Sequence, residues 1–276
     1  MMKELSLREI QLAELEILKK LDEICRAEGL TYYLYYGTLI GAIRHKGIIP
    51  WDDDIDVAMP RPDYDKLIEY CRKNQEGLLP LRLMHYTLNP DYIYPIARFC
   101  DTRYYVDYQD AVDYGLGLFV DIYPLDGWGN EPSEQHSIYQ KFRRDILLVN
   151  LAGKSRYIGS LQNPIRNLVK FPAYLYAKLR GTRYFLRKLD NLGKERSYEK
   201  DSMVGHLVWA EDDQARIRKD LLSPIQWEFE GGMFTIPEGY DAILTQVYGD
   251  YMQLPPEDQR IQQHHYKAYL KEDNKK

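Results

Sequence analysis

Apolar residues recur at Leu7, Ile10, Ala13, Ile17, Leu21 and Ile24, a three-and-four spacing that lays one stripe along a helix. Ahead of the stripe, Ser6-Leu7-Arg8-Glu9 has the form of a capping box, in which a Ser hydroxyl and a Glu carboxylate satisfy the first free backbone amides. Gly29 follows, where a left-handed residue ends a helix without steric penalty. The pattern predicts a long amphipathic helix over residues 6–28. The aromatic run Thr31-Tyr32-Tyr33-Leu34-Tyr35-Tyr36 reads as a strand, and after Gly37-Thr38 the segment Leu39-Ile40-Gly41-Ala42-Ile43-Arg44 reads as a short helix. A loop through His45-Lys46-Gly47 and Ile49-Pro50 leads to a second strand, Ile55-Asp56-Val57-Ala58-Met59, stopped by Pro60-Arg61-Pro62. Asp63 then caps a helix running through Cys71.

Further strands are predicted near 81–84, 96–99 and 118–122. Helical patterning dominates from about 134 to 197, with breaks at Asn163-Pro164 and Phe171-Pro172. An extended segment over 231–237 precedes a helix over 240–248 that Gly249 closes. No internal repeat or low-complexity linker interrupts the chain. The outline is α+β: a small sheet from the first half, followed by a mainly helical region. The natural division is a core over residues 1–130 and a helical part over 131–276 packed on it, if the two are not one continuous domain.

Composition adds less than charge does. At 276 residues, 45% hydrophobic and 29% charged, the chain has the balance of an ordinary globular protein with room for a cleft. Its 25 Tyr against 7 Phe suit half-wet pockets, although most such rings serve as core. Cys25, Cys71 and Cys100 are widely spaced and form no CxxC pair, which predicts neither zinc nor disulfides and fits a reducing cytoplasm. The charged N-terminal start and the lack of a long apolar run predict neither secretion nor membrane insertion. Residues 141–200 hold 15 Lys and Arg against 4 Asp and Glu, a local net of +11, so the remainder sums to −16. The basic middle points to a polyanionic or membrane-surface partner, with a solvated helical face as the plainer reading. The acidic remainder argues against nucleic acid.

The chemistry concentrates in Trp51-Asp52-Asp53-Asp54-Ile55-Asp56. In a strand, residues two apart share a face, so Asp54 and Asp56 point together while Ile55 and Val57 enter the core. Two carboxylates that close repel unless a proton or a cation joins them, and hard oxygen ligands suit Mg²⁺ or Mn²⁺ shared with substrate phosphates. Asp121, isolated in the apolar run Phe119-Val120-Asp121-Ile122, is the best third carboxylate, with Asp126 as the fallback. Taken alone, the Asp triplet reads equally well as a solvated turn or a helix cap. Gly37-Thr38 ahead of it strengthens the functional reading, because a Gly and a small hydroxyl let backbone amides approach a phosphate. Arg44, His45 and Lys46 in the intervening loop are placed to neutralise phosphate oxygens. Trp51 is suited to stacking on a base or a quaternary ammonium, or simply to core packing.

The stretch Tyr36-Gly37-Thr38-Leu39-Ile40-Gly41-Ala42-Ile43-Arg44-His45-Lys46-Gly47-Ile48-Ile49-Pro50-Trp51-Asp52-Asp53-Asp54-Ile55-Asp56-Val57 resembles the signature of the LicD family. That family comprises bacterial phosphorylcholine transferases and is related to fukutin and fukutin-related protein. Later segments resemble it too: Phe119 through Gly127, Tyr240-Asp241 through Tyr248-Gly249-Asp250-Tyr251-Met252, Pro255-Pro256, and an ending with Arg260 and His264-His265. One departure is Tyr35-Tyr36, where members often carry smaller residues, so the shape of the donor pocket differs here. The resemblance implies a nucleotidyltransferase-like small mixed sheet flanked by helices. It further implies a phosphotransferase for substituted phosphate groups, moving phosphocholine from CDP-choline to a hydroxyl of a cell-surface glycan, a teichoic-acid or lipopolysaccharide precursor. Relatives use CDP-ribitol or similar donors. In that setting Asp54, Asp56 and Asp121 hold Mg²⁺ (or Mn²⁺), with Asp121 as ligand or as proton acceptor, and Gly37, Thr38, Arg44, His45, Lys46 and Trp51 serve the donor. Acceptors of this kind are often lipid-linked. That favours a cytoplasmic enzyme meeting the inner face of the membrane through its basic, aromatic segment Phe171 to Arg180. A metal-dependent nucleotide-sugar glycosyltransferase and a non-catalytic nucleotide-binding scaffold are the competing readings.

Overall fold

The N-terminal capping box forms as the sequence dictates. Ser6 accepts from the Glu9 backbone N–H, and the Glu9 carboxylate accepts from the Ser6 N–H (2.8 Å), which starts helix α1, Leu7–Glu28. Gly29, at φ 65°, ends it in the left-handed region. Ile10, Ala13, Ile17, Leu21 and Ile24 are buried, so the apolar stripe is the packed face. The computed structural model describes residues 3–107, 115–154, 156–157, 164–209, 216–262, 264 and 266–271, so Asn163 and His265 lie outside the described residues.

The central sheet runs β2 (Tyr33–Leu34), β3 (Asp56–Pro60), β7 (Leu118–Gly127), β5 (Ala97–Asp101) and β4 (Leu81–Met84). β3 and β7 are parallel and the other pairings antiparallel, which makes the sheet mixed. β8 (Met203–Gly205) extends it from the end of β7 and pairs in turn with β9 (Arg216–Arg218). A second sheet joins β1 (Lys3–Glu4), β12 (Lys267–Leu270) and β6 (Tyr104–Asp107), and β10 (Pro224–Phe229) with β11 (Gly232–Pro237) forms a hairpin. The remaining helices are α2 (Tyr36–Ile40), which continues into a π-helical turn Gly41–His45, then α3 (Arg61–Lys73), α4 (Pro132–Gly153), α5 (Pro164–Arg180), α6 (Thr182–Glu195) and α7 (Tyr240–Tyr248). The fold is α+β, as the patterning predicted.

β7 is buried along its whole length, and its alternation divides the interior in two. Val120 and Ile122 pack with Leu18 and Leu21 of α1 and Leu67 of α3. Tyr123 and Leu125 face the other way, onto Phe142 of α4 and Phe185 and Leu189 of α6. Asp121 shares this second face of β7, and Asp56 shares the corresponding face of β3 with Ala58.

Four expectations change. The helix expected to be capped by Asp63 begins at Arg61, and Asp63 lies inside its first turn. The strand over 31–36 shrinks to Tyr33–Leu34, because Tyr36 turns to φ 44° and opens α2. The break at Phe171-Pro172 does not occur: α5 runs through Pro172, which sits on an exposed part of the helix surface. The extended segment over 231–237 is half of the β10–β11 hairpin.

One buried ion cluster ties the helical layer to the sheet. Arg61, at the start of α3, donates from Nε to Asp126 Oδ1 (2.5 Å) and from Nη1 to Asp190 Oδ1 of α6 (2.9 Å). Tyr86 donates its hydroxyl to the other oxygen of Asp190 (2.7 Å). Removing the cation leaves the sealed Asp126 carboxylate without its guanidinium and takes one partner from Asp190, so Arg61→Leu is expected to lose about 3–5 kcal/mol in denaturant unfolding. Adding Asp126→Asn and Asp190→Asn should recover part of that loss. A stability change below about 1 kcal/mol for Arg61→Leu would show that the cluster does not hold α6 in place.

Candidate active site

The parallel pairing of β3 and β7 sets Asp56 directly opposite Asp121. The Asp121 N–H donates to the Ile55 carbonyl (2.9 Å), and the Asp56 N–H donates to Thr38 Oγ1 (2.9 Å). On its other side Asp121 faces Arg98 across the β5 ladder. Arg98 Nε donates to Asp121 Oδ1 (2.6 Å), with Nη2 further from Oδ2 (3.4 Å). The guanidinium is sandwiched between the rings of Tyr94 (4.3 Å) and Phe119 (4.1 Å), which limits its motion. Asp56 has no such partner: its Oδ1 is buried without a hydrogen bond. Burial first, then the nearby Asp54 and Asp121, push its carboxyl well above the usual range.

The acidic run approaches this pair along the loop before β3. Gln11 of α1 holds the loop by donating Nε2 to the carbonyls of Ile49 (3.2 Å) and Asp52 (2.8 Å). The Tyr266 hydroxyl donates to the Asp53 carbonyl (2.6 Å). His264 bonds both carboxylate oxygens of Asp53, through its backbone N–H (3.1 Å) and Nδ1 (3.0 Å), and its Nδ1 lies 3.9 Å from Asp54 Oδ2. Asp52 and Asp54 hydrogen-bond each other. Burial and the neighbouring aspartates push the Asp52 carboxyl up to about 8. Asp54 is pushed to about 6 by burial, by Asp121 and by Asp53, against the opposing effect of His264. Beneath them Glu14 of α1 is fully enclosed, and burial together with Asp54, Asp53 and Asp52 drives its carboxyl well up.

The donor set fits a hard divalent cation. Five carboxyl groups from 52, 53, 54, 56 and 121 converge, Asp56 presents an unpaired buried oxygen, and Asp54 remains partly open, with 23% of its side chain exposed. Ligand atoms of Asp53, Asp54 and His264 also lie within 4.8 Å of one another. Asp54 is common to this group and to the set expected from the sequence. In Asp53 and His264, however, His264 already occupies both Asp53 oxygens, one through its imidazole and one through its backbone N–H, the arrangement of an orienting pair rather than of two open ligands.

The other expected residues divide. Gly37 serves close packing: a Cβ there would sit 2.7 Å from Asp52 Oδ2, so only glycine lets that carboxylate in. Thr38 anchors the β3 backbone at Asp56. Arg44 turns to the C-terminal loop, donating to the carbonyls of Tyr251 (2.6 Å) and Gln253 (3.3 Å), and also to His45 Nε2 (3.0 Å). The His45 ring meets Trp51 edge-on at 6.1 Å. Trp51 is half-buried against the core with Arg260 over its face (5.7 Å). Lys46 takes φ 56°, and its carbonyl accepts from the Glu230 N–H (2.9 Å). Asp126, the fallback carboxylate, belongs instead to Arg61 and is sealed from the site.

Arg98, Glu14, Tyr266 and the pairing of His264 with Asp53 are the elements that sequence reasoning missed. Glu14 had a signal, because its position lies on the buried side of the α1 stripe. Arg98 had another, as a cation inside the apolar strand Ala97–Asp101.

A family model described as LicD/FKTN/FKRP, nucleotidyltransferase domain, matches residues 29–145, the segment that carries every carboxylate above except Glu14. The lipopolysaccharide cholinephosphotransferase LicD of Haemophilus influenzae is 32% identical over 292 aligned positions, covering 98% of this chain and 100% of that protein. An uncharacterized protein of Rickettsia prowazekii is 24% identical over 146 residues, 53% of this chain and 51% of its own. One of Rickettsia typhi is 40% identical over 48 residues, 17% and 16% respectively. The fold and site thus define a nucleotidyltransferase-like transferase. The chain belongs to the LicD family.

The crowded carboxyls also set a pH dependence. Asp52 and Asp54 hold protons when folded at pH values where the unfolded chain has released them, so their contribution to stability is complete below the ordinary carboxylate range. It is lost as pH rises through about 6 for Asp54 and about 8 for Asp52. His264, shifted up by Asp53, likewise loses its contribution as pH climbs. A divalent cation bound at these carboxylates would replace those protons. At about a hundredfold excess over its Kd, Mg²⁺ or Mn²⁺ is expected to raise Tm by roughly 5–10 °C near pH 8 and far less near pH 5. Equal shifts at both pH values, or none, would argue against a cation at these carboxylates.

Proposed function

We propose that the chain transfers phosphocholine from CDP-choline to a hydroxyl of a cell-surface glycan precursor, releasing CMP. The full-length similarity to a lipopolysaccharide cholinephosphotransferase supports the chemical class. The observation that carries the reading is the in-register pair of Asp56 and Asp121, with a buried oxygen of Asp56 lacking any partner beside the half-open Asp54. Asp54, Asp56 and Asp121 are the residues that would hold Mg²⁺ or Mn²⁺, which when bound supplies positive charge to offset the phosphate oxygens of the donor.

The chain's own groups do the rest. Arg98, clamped by Tyr94 and Phe119, donates to Asp121 and holds it in one orientation, which suits a fixed ligand. Gln11 and Tyr266 fix the loop backbone, and the His264–Asp53 pair sets the position of Asp54. Tyr123 stands two residues beyond Asp121 on the same face and meets Tyr36 edge-on at 5.3 Å. The Tyr248 phenol, on a residue still 43% exposed, is pushed up by partial burial and then by Asp56, Asp52 and Asp54. These rings suit a trimethylammonium head group, whose charge favours aromatic faces. Residues 1–130 form the catalytic core in this reading and 131–276 shape the acceptor side, where a glycan linked to lipid at the inner membrane face is the substrate class expected.

Nucleotide release from a donor panel tests the proposal. CMP is expected from CDP-choline in the presence of Mg²⁺ and acceptor. Asp56→Asn or Asp54→Asn is expected to reduce kcat at least about a hundredfold, with little change in Tm. Release from CDP-ribitol or CDP-glycerol alone would move the head group and keep the chemistry. Release of UDP from a nucleotide sugar, with none of CMP, would favour a glycosyltransferase and overturn the proposal. Full retention of activity in both variants would do the same.

A further inference from the structure

The helical layer carries an apolar surface that the active-site chemistry does not use. On α5, Phe171, Leu175 and Leu179 recur every four residues and are 46%, 45% and 87% exposed. Tyr176 lies exposed beside them, and Tyr174 and Ala177 form the opposite, buried side. Leu147 of α4 and Tyr184 of α6 add exposed apolar surface to the same layer. Arg180 stands over the rings of Tyr176 (5.8 Å) and Tyr184 (5.0 Å), and Lys178 borders the stripe on its other side. This is the arrangement of a helix that lies in a membrane interface: an apolar stripe flanked by cations and amphipathic rings. The segment containing it carries the net +11 of an otherwise acidic chain. No helix among the described residues is long and apolar enough to cross a bilayer, so the stripe would lie along a surface rather than span it.

A second observation orients this face. A hollow lined by Arg143, Arg144, Leu147 and Lys170 shares Ile146 and Asn150 with an apolar cavity of about 410 Å³. The cavity's inner wall includes Tyr94, whose ring carries Arg98, and Arg98 holds Asp121. The basic hollow therefore adjoins a cavity that reaches Tyr94, the ring packed on the Arg98 guanidinium.

We infer that α5, with the adjoining parts of α4 and α6, docks the protein on an anionic lipid bilayer, the apolar stripe entering the headgroup layer and Arg180, with Arg143 and Lys170 of the neighbouring hollow, meeting lipid phosphates. The occupant is chosen by charge complementarity: a cationic rim around apolar side chains matches a negatively charged bilayer surface, whereas a second copy would set one cationic rim against another. The inference gives a surface to the membrane-side acceptor proposed above, yet vesicle binding is measured without donor or acceptor, so either idea can fail alone.

The test is co-sedimentation of the full chain with vesicles of phosphatidylcholine alone and of phosphatidylcholine mixed with phosphatidylglycerol. Binding to the mixed vesicles is expected to exceed binding to the neutral ones at least about tenfold and to weaken as salt is added. Leu179→Glu should lower it about tenfold or more with Tm unchanged, since the side chain is almost wholly exposed. Arg180→Gln should lower it about fivefold. No vesicle binding, equal binding to neutral vesicles, or binding indifferent to Leu179→Glu would overturn the inference. So would a wild-type dimer in analytical ultracentrifugation that Leu179→Glu dissociates, because the face would then join two copies of the chain.

Discussion

Two carboxylates fixed side by side on neighbouring parallel strands, and dehydrated by the layers above and below, are in electrostatic difficulty whatever else the protein does. Asp56 and Asp121 are in that position because β3 and β7 pair in register, and the pairing is enforced by the core: Val57, Val120 and Ile122 must face α1 and α3. Slipping the register by one residue would send those apolar side chains to the wrong face. The hydrophobic pattern therefore holds the charges together against their own repulsion. Asp121 is answered by Arg98, while Asp56 is left to protons or a cation. A folded state that retains an unanswered buried oxygen gives up stability at that point, and such concessions are characteristic of sites that bind.

The surroundings show how the strain is contained. The Asp52–Asp54 loop has no regular structure, yet its backbone is bonded by Gln11 from α1 and Tyr266 from the C-terminal segment, two elements more than 250 residues apart in sequence. Gly37 yields the space into which the Asp52 carboxylate fits. The neighbouring Tyr36 takes a left-handed backbone that a glycine would adopt at little penalty and a tyrosine adopts only under constraint. Its ring is held by Tyr35, Tyr123 and His206, with the two tyrosine hydroxyls bonded to the two imidazole nitrogens. This aromatic cluster compensates for the backbone strain and gives the wall beside Asp121 its shape.

Legibility in the sequence followed the range of the interaction. α1 was readable because its cap, its stripe and its terminating glycine are all local. Asp54 and Asp56 stood out through alternation within one strand, and Asp121 through its isolation in an apolar run. Arg98 was not recognised as the partner of Asp121, since that requires knowing which strand lies next to β7 and in what register. His264 could be quoted as part of a motif, but nothing local ties it to Asp53, 211 residues away. The short strands β1, β6 and β12 carry few alternating positions and went unseen, whereas β4, of equal length to β6 and β12, was read from its run of apolar residues. The failed break at Pro172 has a different origin. A proline inside a helix removes one backbone hydrogen bond, a loss tolerable where the helix is held by burial of Tyr174 and Ala177.

Charge segregation links these local facts to the whole molecule. The acidic centre and the basic helical layer lie within one fold, with opposite net charge concentrated in different parts of the chain. An anionic donor approaching aspartates alone would be repelled, so the centre must be neutralised before it can accept a phosphate. The basic layer cannot do this directly, because several of its cations are already committed: Lys188 and Arg144 to Asp145, Lys194 to Asp190 and Lys178 to backbone carbonyls. Arg44 is committed too, to the C-terminal loop. Within the site Arg98 is bound to Asp121 and His264 to Asp53, so neither adds free positive charge. Protons at low pH, or a divalent ion at neutral pH, are the sources of neutralisation on which the proposed function draws.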